Sequence, residues 1–451
     1  MPKITLTSYG ATQEVTGSCH LLKVDGFRLL IDCGLYQGDL NNYFRNWEEF
    51  GFSAKNIDAV ILTHAHLDHC GRLPKLIKEG FKGKIYTTPP TAKLVEVVLA
   101  DNLKIMAEKI AHSKYPPLYS SADLANTNKK FLPVDYGQNF KINENISFTF
   151  HQAGHILGAA IVKLKIFGKT IIFTGDIGSE NMPLVKDIEY FDQADYVIME
   201  STYGDRLHAQ VKNRDAVLLQ AIQRITAQGS TLVMSEFAIE RAQDILKVLN
   251  DYYEKHLDFR VPVYLDSPMA DVVTKIYKKY SNYFNDSAQD DLKRDRDIFD
   301  FPHLKITSEA KFSKNINTAL PPKIILAGSG MADGGRIIHH LAHYASDPKN
   351  YILFMGFQVP GTLGHRFTSG AFDFSYLGKK VPIHCAVDQI DGFSAHADQA
   401  GLMKWVGHFQ NKPKIFIVHG NPEAMNTLAQ KINTELKFKA EILLKQTSVE
   451  L

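Results

Sequence analysis

The sequence has few cysteines and no long apolar run. Its 451 residues include only 4 cysteines, and because none of them form a C-x-x-C pair they predict reduced thiols rather than a disulfide framework. No stretch of about 18 consecutive apolar residues occurs, so a membrane-spanning helix is not expected. The first residues also lack the apolar segment of a signal peptide. We therefore expect a cytoplasmic protein with no membrane partner.

The sequence also has almost no excess of positive over negative charge. The 51 Lys and Arg residues face 49 Asp and Glu residues, which gives a formal net charge of +2. Nucleic-acid binders usually carry a clear basic excess, so this balance argues against an extended basic surface but leaves a local binding site open. The composition, 45% apolar and 22% charged, excludes collagen-like and disordered chains. The length is enough for two or three domains.

Short apolar runs closed by polar turns fill the first 200 residues. Arg28–Asp32, Ala59–Thr63 and Thr170–Thr174 are typical of buried strands. Between them, Thr91–His112 places apolar residues at steps of three and four, as in an amphipathic helix. A mixed α and β domain is expected here.

From about residue 214 helices and strands alternate, which predicts a parallel sheet covered by helices. The predicted strands are Thr231–Met234, Val261–Leu265, Lys323–Ala327 and Tyr351–Phe354, and the predicted helices begin at Arg214, Ile239, Met269 and Arg336. Ligands of such sheets bind beyond the carboxyl ends of the strands. The residues at those ends are Ser235–Glu236, Asp266–Ser267, Gly328–Gly330 and Gly356–Gln358. The charged stretch Lys293–Asp297 is expected to be a solvated loop.

The strongest motif is His64-x-His66-x-Asp68-His69, which directly follows the predicted strand Ala59–Thr63. Where a strand becomes a loop, alternate side chains diverge, so the first two imidazoles can hold one metal ion while the carboxylate and the last imidazole reach a neighbouring one. Imidazole with carboxylate is a ligand set that suits zinc.

Further ligands are expected at other strand ends, and His155, Asp176 and His419 stand at such ends. Each alone is more often a polar loop residue, but together with the six-residue motif they predict a metal centre. Asp32 is interpreted either as a carboxylate that orients a ligand or as a turn residue. Cys70 is a soft ligand or, more simply, a small buried residue.

These residues resemble a known family. Asp32, the motif His64–His69, His155 and Asp176 look like the successive metal motifs of the metallo-β-lactamase superfamily, an α/β fold built as an αββα sandwich with a dinuclear zinc site. Glu200, His396 and His419 resemble three further motifs of its β-CASP ribonuclease branch. That branch includes the nuclease subunit of the cleavage and polyadenylation specificity factor and compact stand-alone bacterial relatives. The resemblance covers essentially the whole chain.

The resemblance implies a domain arrangement. Residues 1–205 and 376–451 would form the two parts of the metallo-β-lactamase domain, and residues 206–375 would form an inserted β-CASP domain, a parallel sheet flanked by helices. The long stretch between Glu200 and His396, which carries no metal motif, matches that insertion.

The resemblance also implies a chemistry. Two Zn²⁺ ions would be held by His64, His66 and His155 and by Asp68, His69 and His419, with Asp176 bridging. A metal-activated hydroxide would attack a phosphodiester bond of single-stranded RNA, in RNA processing or decay, leaving 5′-phosphate and 3′-hydroxyl ends. By the same resemblance, Asp68, Glu200 and His396 would form the catalytic group, in which His396 would be the general acid and Glu200 would fix its tautomer. His419 points to RNA because RNA-acting members carry histidine there.

Phosphates next to the scissile bond need hydrogen-bond donors. The Gly-rich stretch Gly328–Arg336 joins a strand to a helix, so Gly328, Ser329, Gly330 and Arg336 are predicted to bind phosphate. Ser267 would add a hydroxyl or simply cap the next helix. His339, His340 and His343 are expected on a helix surface. The chain departs from the family pattern at His365, where arginine would be expected.

Two alternatives remain open from the sequence. A dinuclear zinc hydrolase of a small ester or thioester would use the same ligands, because fold does not fix function. A non-catalytic subunit of an RNA-processing assembly is the other alternative. The resemblance is also compatible with a homodimer. The sequence does not distinguish endonuclease from 5′-to-3′ exonuclease action, nor does it identify the RNA.

Overall fold

The computed structural model describes residues 3–111, 113–208, 214–359 and 361–451. The chain separates into two compact units. The first comprises Met1–Asn181, Lys186–Leu207 and His396–Leu451, and the second comprises Met182–Val185 and His208–Ala395. The domain boundaries expected after residues 205 and 375 stay predictions.

The strands are numbered here in chain order. In the first unit they are β1 (Ile4–Gly10), β2 (Cys19–Val24), β3 (Phe27–Ile31), β4 (Ala59–Ile61), β5 (Lys84–Thr87), β6 (Phe131–Pro133), β7 (Phe140–Lys141), β8 (Ile146–Gln152), β9 (Ala160–Ile166), β10 (Lys169–Phe173) and β11 (Tyr196–Met199). The second unit contributes β12 (Thr231–Ser235), β13 (Val263–Asp266), β14 (Leu304–Ile306), β15 (Lys323–Ala327), β16 (Tyr351–Phe354), β17 (Asp373–Tyr376), β18 (Lys379–Pro382) and β19 (Ala386–Gln389). The chain then returns to the first unit with β20 (Lys414–Ile417), β21 (Lys439–Ile442) and β22 (Ser448–Glu450).

The α-helices follow the same order. In the first unit they begin with α1 (Leu40–Phe44), α2 (Leu67–Cys70), α3 (Leu73–Lys78), α4 (Pro89–Ile110) and α5 (Ser121–Asn128). The second unit has α6 (Arg214–Gln228), α7 (Arg241–Lys255), α8 (Pro268–Lys279), α9 (Asp286–Arg294), α10 (Ala310–Ile316), α11 (Ile337–Tyr344) and α12 (Leu363–Thr368). The last two are α13 (Gln399–Val406) and α14 (Pro422–Lys431). None of the described helices is long and apolar enough to cross a membrane.

The first unit is a sandwich of two seven-stranded sheets, with strand orders β22-β1-β2-β3-β4-β5-β6 and β21-β20-β11-β10-β9-β8-β7. Side chains of both sheets form one buried core, in which Leu6 and Leu29 of the first sheet join Phe148 and Phe173 of the second. Alternate residues of each strand point inward, so this core follows from the apolar runs seen in the sequence.

The second unit contains a six-stranded sheet in the order β14-β13-β15-β12-β16-β19, and all its pairs are parallel. The predicted parallel sheet is therefore confirmed. Because β13, β15 and β12 are neighbours, the residues that follow them lie side by side at one edge. These residues are Ser267, Gly328 and Glu236.

The expectation of a loop over Lys293–Asp297 was wrong for its first two residues, which end helix α9. The Asn285 side chain accepts a hydrogen bond from Ala288 N and caps the start of this helix. Lys293 and Arg294 lie in its last turn, where positive charge is favourable for the helix dipole. The run of charges is thus explained by a helix end.

All four cysteines lie in the described part of the chain. Cys19, Cys33, Cys70 and Cys385 are buried and form no disulfide. Burial raises the pKa of the Cys70 thiol well above its ordinary value, in keeping with a protonated packing residue.

Candidate metal centre

The predicted metal ligands all belong to the first unit and follow the ends of its strands. Asp32 follows β3, His64 comes three residues after β4, His155 follows β8, and His419 follows β20. Asp176 follows β10 through Gly175, which has φ +54 and whose added Cβ would lie 2.9 Å from the Thr63 Cβ atom. A glycine is needed there because the backbone passes close to Thr63 in a left-handed conformation.

Asp176 lies at the centre of the cluster, and its two carboxylate oxygens face different histidines. Oδ2 is 3.3 Å from His64 Nε2 and 3.5 Å from His155 Nε2. Oδ1 is 3.2 Å from His69 Nε2 and 3.7 Å from His419 Nδ1. Each of these five residues is at most 3% exposed. One carboxylate therefore connects the two halves of the cluster.

The ligand atoms fall into two groups that can each hold a metal ion. The first group is His64, His66, His155 and Asp176, and the second is Asp68, His69 and His419. Within each group the ligand atoms lie within 4.8 Å of one another.

Two contacts in the cluster join ring nitrogens directly. His155 Nε2 lies 3.0 Å from His66 Nδ1, and His69 Nε2 lies 3.2 Å from His419 Nε2. Two nitrogens that are each about 2.0–2.1 Å from one tetrahedral ion would lie roughly 3.3 Å apart. The spacing of the rings therefore fits a shared cation.

Unsatisfied polar atoms support the same interpretation. His64 Nε2 and Asp176 Oδ1 are buried and, although polar atoms lie within 3.3 Å of each, neither makes a hydrogen bond of normal geometry. Burying such atoms without a partner is costly, and a metal ion would satisfy both. With the imidazole and carboxylate ligand set, these atoms identify the cluster as a metal-binding site.

The charges of the first group suit metal binding. Burial lowers the pKa of His64 to about 3, of His66 to about 4, and of His155 well below its ordinary value. These three imidazoles are therefore neutral near pH 7 and keep a lone pair for a metal ion.

In the second group burial also lowers the pKa of both histidines, but nearby carboxylates outweigh it. Asp176 and Asp32 raise the pKa of His69 well above its ordinary value, and Asp176 and Asp68 raise that of His419. Because metal ions bind the unprotonated ring, metal uptake by this group would release protons.

Two threonine hydroxyls and one carboxylate hold the ligands in place. Asp32 Oδ2 lies 2.8 Å from His69 Nδ1 and accepts a hydrogen bond from Thr63 Oγ1 at 2.9 Å. Asp32 Oδ1 accepts one from Thr63 N at 2.8 Å. Thr202 Oγ1 lies 3.1 Å from His419 Nδ1. The sequence interpretation missed Thr63 and Thr202. Thr63 directly precedes His64 and Thr202 lies two residues after Glu200, but neither position by itself indicates the contact.

A third group joins Asp176 with Glu200 and His396. His396 Nδ1 is 3.2 Å from Glu200 Oε1, and its Nε2 is 3.9 Å from Asp176 Oδ2. Glu200 is only 1% exposed and is held by backbone hydrogen bonds from Ile177 N at 2.5 Å and Thr202 N at 3.1 Å. The His396 side chain is 21% exposed, so its ring borders both the cluster and solvent.

Burial lowers the pKa of His396, but Glu200, Asp176 and Asp68 outweigh it and raise the pKa to about 9. The ring is therefore protonated near pH 7. Since Nδ1 faces Glu200, Nε2 presents its proton towards the cluster.

The residues predicted to bind phosphate lie in the second unit. Ser267 Oγ accepts a hydrogen bond from Ala270 N at 3.3 Å and so caps helix α8. A helix cap was one of the two roles that the sequence suggested for Ser267, the other being phosphate binding. The same hydroxyl would lie 3.5 Å from a Cβ atom added to Gly328. Ser329 N donates to Gly334 O at 3.4 Å, so the backbone N–H of this predicted phosphate-binding residue is used in a hydrogen bond within the loop. An added Cβ at Gly330 would collide with the Phe237 ring.

The guanidinium of Arg336 is bound within the protein. Its Nη1 lies 2.6 Å from Asp266 Oδ1 and donates to Thr307 O at 2.8 Å, and its Nη2 donates to Ser308 O at 2.7 Å. Arg336 therefore binds a fully buried carboxylate. Its role in phosphate binding stays a prediction.

The surface position expected for His340 was wrong. This residue is only 2% exposed, and its Nε2 lies 2.7 Å from Asp266 Oδ2. A buried carboxylate needs hydrogen-bond donors, and His340 and Arg336 supply them. Burial raises the pKa of Asp266, but these donors together with Ser313 and Thr307 hold it well below its ordinary value.

His365, the residue at which the chain departs from the family pattern, lies in α12 with its ring beside the Ser369 hydroxyl.

Three family models match consecutive parts of the chain. A metallo-beta-lactamase superfamily domain matches residues 21–199, a Beta-Casp domain matches residues 242–367, and a Zn-dependent metallo-hydrolase RNA specificity domain matches residues 380–443. Ribonuclease TTHA0252 of Thermus thermophilus is 39% identical over 425 residues, which cover 94% of this chain and 95% of that protein. The chain belongs to the β-CASP branch of the metallo-β-lactamase superfamily. The resemblance and the fold class inferred from the sequence are confirmed.

Other relatives of this β-CASP protein carry different names. Transcription termination factor FttA of Methanosarcina mazei is 34% identical over 99% of this chain and 72% of its own length. Cleavage and polyadenylation specificity factor subunit 3-II of Arabidopsis thaliana is 30% identical over 95% of this chain and 69% of its own. A crystal structure of a protein of unknown function from Enterococcus faecalis V583 covers 100% of both chains with a TM-score of 0.60 and 12% identity, and it supports the fold alone.

The contacts of Asp32 in this β-CASP protein lead to a prediction about metal affinity. An Asp32→Asn variant keeps an oxygen for Thr63 N but turns an amide NH₂ towards His69 Nδ1. That favours the tautomer with hydrogen on Nε2, which cannot bind a metal ion. Asparagine tolerates the φ of +60 at this position, so the backbone should be kept. We expect metal affinity to fall about 10- to 100-fold, as is usual when a residue that orients a ligand is lost.

Competition with a chromogenic zinc chelator measures this change. The exposed Asp25, which has φ +47, offers a matched control as Asp25→Asn and should keep the wild-type affinity. Equal zinc affinity of Asp32→Asn and wild type would show that Asp32 is only a turn residue.

Proposed function

We propose that this protein is a zinc-dependent ribonuclease that hydrolyses phosphodiester bonds of single-stranded RNA. One observation carries the proposal: Asp176 belongs both to a metal-ligand group and to a group with Glu200 and His396, so a proton donor stands beside the metal site. The names of the Thermus and Arabidopsis relatives and the RNA specificity model over residues 380–443 support RNA as the substrate.

The metal part of the proposal is a pair of Zn²⁺ ions. His64, His66 and His155 would hold one ion, Asp68, His69 and His419 the other, and Asp176 would bridge them. When bound, such ions would supply an activated water as the nucleophile at neutral pH and would stabilise negative charge that develops during phosphodiester hydrolysis. The mixed ligand set of imidazoles and carboxylates supports zinc over magnesium or calcium, which prefer oxygen ligands, and the imidazoles of the first group are neutral and free to bind it.

The proton step would belong to His396. The leaving 3′-oxygen needs a proton because an alkoxide is a poor leaving group. His396 Nε2 would supply it, while Glu200 accepts from Nδ1 and keeps the ring in place. Asp68 takes part as a ligand. The products would carry 5′-phosphate and 3′-hydroxyl ends.

The remaining parts of the proposal concern RNA binding and organisation. Ser267, Gly328, Ser329, Gly330 and Arg336 form the candidate phosphate-binding edge of the second unit. A metallo-β-lactamase domain over 1–205 and 376–451, a β-CASP domain over 206–375, a homodimer and a cytoplasmic location stay predictions.

Cleavage of end-labelled RNA by zinc-loaded protein tests the function. We expect single-stranded RNA to be cut and the same sequence as DNA to be cut far more slowly, with 5′-phosphate ends on the products. Comparing 5′- and 3′-labelled RNA of defined length separates endonuclease from 5′-to-3′ exonuclease action. If zinc-loaded protein left RNA intact but turned over a small thioester, the alternative hydrolase would replace this proposal. A protein that binds RNA without cutting it would favour the non-catalytic subunit.

A further inference from the structure

A buried carboxyl group lies at the candidate phosphate-binding edge of the second unit. Glu236 follows β12 and is 0% exposed, and neither of its carboxylate oxygens makes a hydrogen bond of normal geometry. A buried carboxyl with unsatisfied oxygens is rare and needs an explanation. The sequence placed Glu236 at a strand end but gave it no role.

The strand register brings Glu236 next to the phosphate-binding candidates. Ser235 and Asp266 are both register partners of Ala327, so the residues after them come together beyond the sheet. A Cβ atom added to Gly328 would lie 3.2 Å from Glu236 Oε1 and 3.5 Å from Ser267 Oγ. Carboxyl and hydroxyl therefore border the same space, which a side chain at residue 328 would enter.

Few charged groups face this carboxyl. Burial raises the pKa of Glu236 to about 7, although the Ser267 hydroxyl and the Arg241 guanidinium lower it. Arg241 of α7 also donates to Met355 O. The next carboxyl in the chain, Glu240, accepts from Tyr277 Oη at 2.6 Å. The loop after β15 contributes only neutral residues from Gly328 to Met331.

The protonation state of Glu236 affects the affinity of this edge for a phosphate group. An ionised carboxylate here would repel a phosphate group, since little water is available to screen the two charges. A neutral carboxylic acid would remove that repulsion and could donate a hydrogen bond. The two protonation states therefore differ in their affinity for phosphate, and this difference links binding to proton uptake.

We propose that Glu236 makes RNA binding proton-linked: the edge formed by Glu236, Ser267 and Gly328 accepts an RNA phosphate when Glu236 is neutral and rejects it when Glu236 is ionised. This inference rests on the proposed function, because it assigns a phosphate of the RNA substrate to this edge. Glu236 is a specificity-determining residue in this scheme and takes no part in bond cleavage.

The sign of the effect follows from linkage. RNA favours the protonated form, so affinity is full below the pKa of the free protein and falls as pH rises through about 7. For one proton with that midpoint, affinity should fall about tenfold between pH 6 and pH 8. Glu236→Gln removes the titration and keeps the shape of the side chain.

Fluorescence anisotropy of a dye-labelled single-stranded RNA measures the affinity of zinc-loaded protein from pH 6 to pH 8. All proteins carry His396→Ala, which is expected to leave the RNA uncut and removes the titration of that ring. The ratio of the affinity with Glu236 to the affinity with Glu236→Gln should fall about tenfold over this range. Other titrating groups cancel in the ratio, because both proteins contain them.

Two further variants serve as a substitute for Glu236→Gln and as a control. Glu236→Ser also removes the carboxyl and serves if the glutamine variant unfolds, as judged from thermal unfolding at each pH. Glu254→Gln changes an exposed carboxyl of α7, the helix that follows Glu236 in the chain, and should keep the pH profile of the parent. A ratio that stays constant with pH would overturn the role of Glu236 while leaving the ribonuclease proposal intact. Loss of RNA binding by every protein, including the parent, would instead contradict the proposed function.

Discussion

An His396→Ala variant should cut RNA about 10²- to 10⁴-fold more slowly than wild type while keeping its full zinc content. The expected loss is that of a general acid, because His396 Nε2 points towards the cluster from a ring whose other nitrogen is 3.2 Å from Glu200 Oε1. Zinc should be retained because the two ligand groups proposed to hold it do not include His396. The variant should therefore separate proton donation from metal binding.

The leaving group provides the decisive comparison for this variant. A sulfur leaving group in a 3′-phosphorothiolate linkage needs no proton, so His396→Ala should cut this linkage at nearly the wild-type rate in single-turnover assays. His408→Ala, an exposed histidine of the same unit, is the matched control and should behave as wild type on both substrates. If His396→Ala lost as much rate on the sulfur substrate as on ordinary RNA, His396 would be required for something other than the proton.

How much of this site can be predicted from the sequence depends on how local each signal is. The motif His64–His69 is one short segment after one strand, and the strand register brings His155, Asp176 and His419 to the same end of the sandwich. Each of these residues follows an apolar run, so the rule that polar residues at strand ends meet was sufficient. The parallel sheet of the second unit was predictable for the same reason.

The contacts that orient these residues were not predictable. Thr63 and Thr202 are ordinary strand-end residues in sequence. Their partners Asp32 and His419 have φ values of +60 and +52, and the sequence does not indicate this backbone conformation. The pairing of His340 with Asp266 joins residues 74 positions apart, and nothing in either local pattern indicates it. Long-range pairs of this kind depend on which helix packs over which strand end.

Glu236 is a second case in which the sequence indicates the position of a residue but not its environment. Its place at a strand end was visible in the sequence, and so was that of Ser267 and Gly328. Its burial was not, because a glutamate after a strand is usually solvated. Its full burial is a property of the folded chain, because it depends on residues that are far from Glu236 in sequence, such as Ser267 and Gly328.

The largest loss is expected for Asp176→Ala, which should remove at least one of the two zinc ions proposed for this site. This carboxylate faces His64 and His155 with one oxygen and His69 and His419 with the other, so its removal affects both ligand groups. Loss of metal-based charge stabilisation worth about 4 kcal/mol corresponds to a rate about 10³-fold lower, and we expect at least that for RNA cleavage.

Zinc per protein after dialysis, measured by mass spectrometry, and single-turnover RNA cleavage together test this prediction. Asp176→Asn is the informative partner variant because it keeps the volume and one neutral oxygen but cannot bridge two cations as a carboxylate does. It should retain more zinc than Asp176→Ala and still cut RNA slowly, whereas Asp25→Asn on the surface should match wild type in both assays. If Asp176→Ala bound two zinc ions and cut RNA at the wild-type rate, the metal centre would have to be built without its central carboxylate. The two ligand groups would then be independent sites, and the connection between metal and His396 through Asp176 would be lost as well.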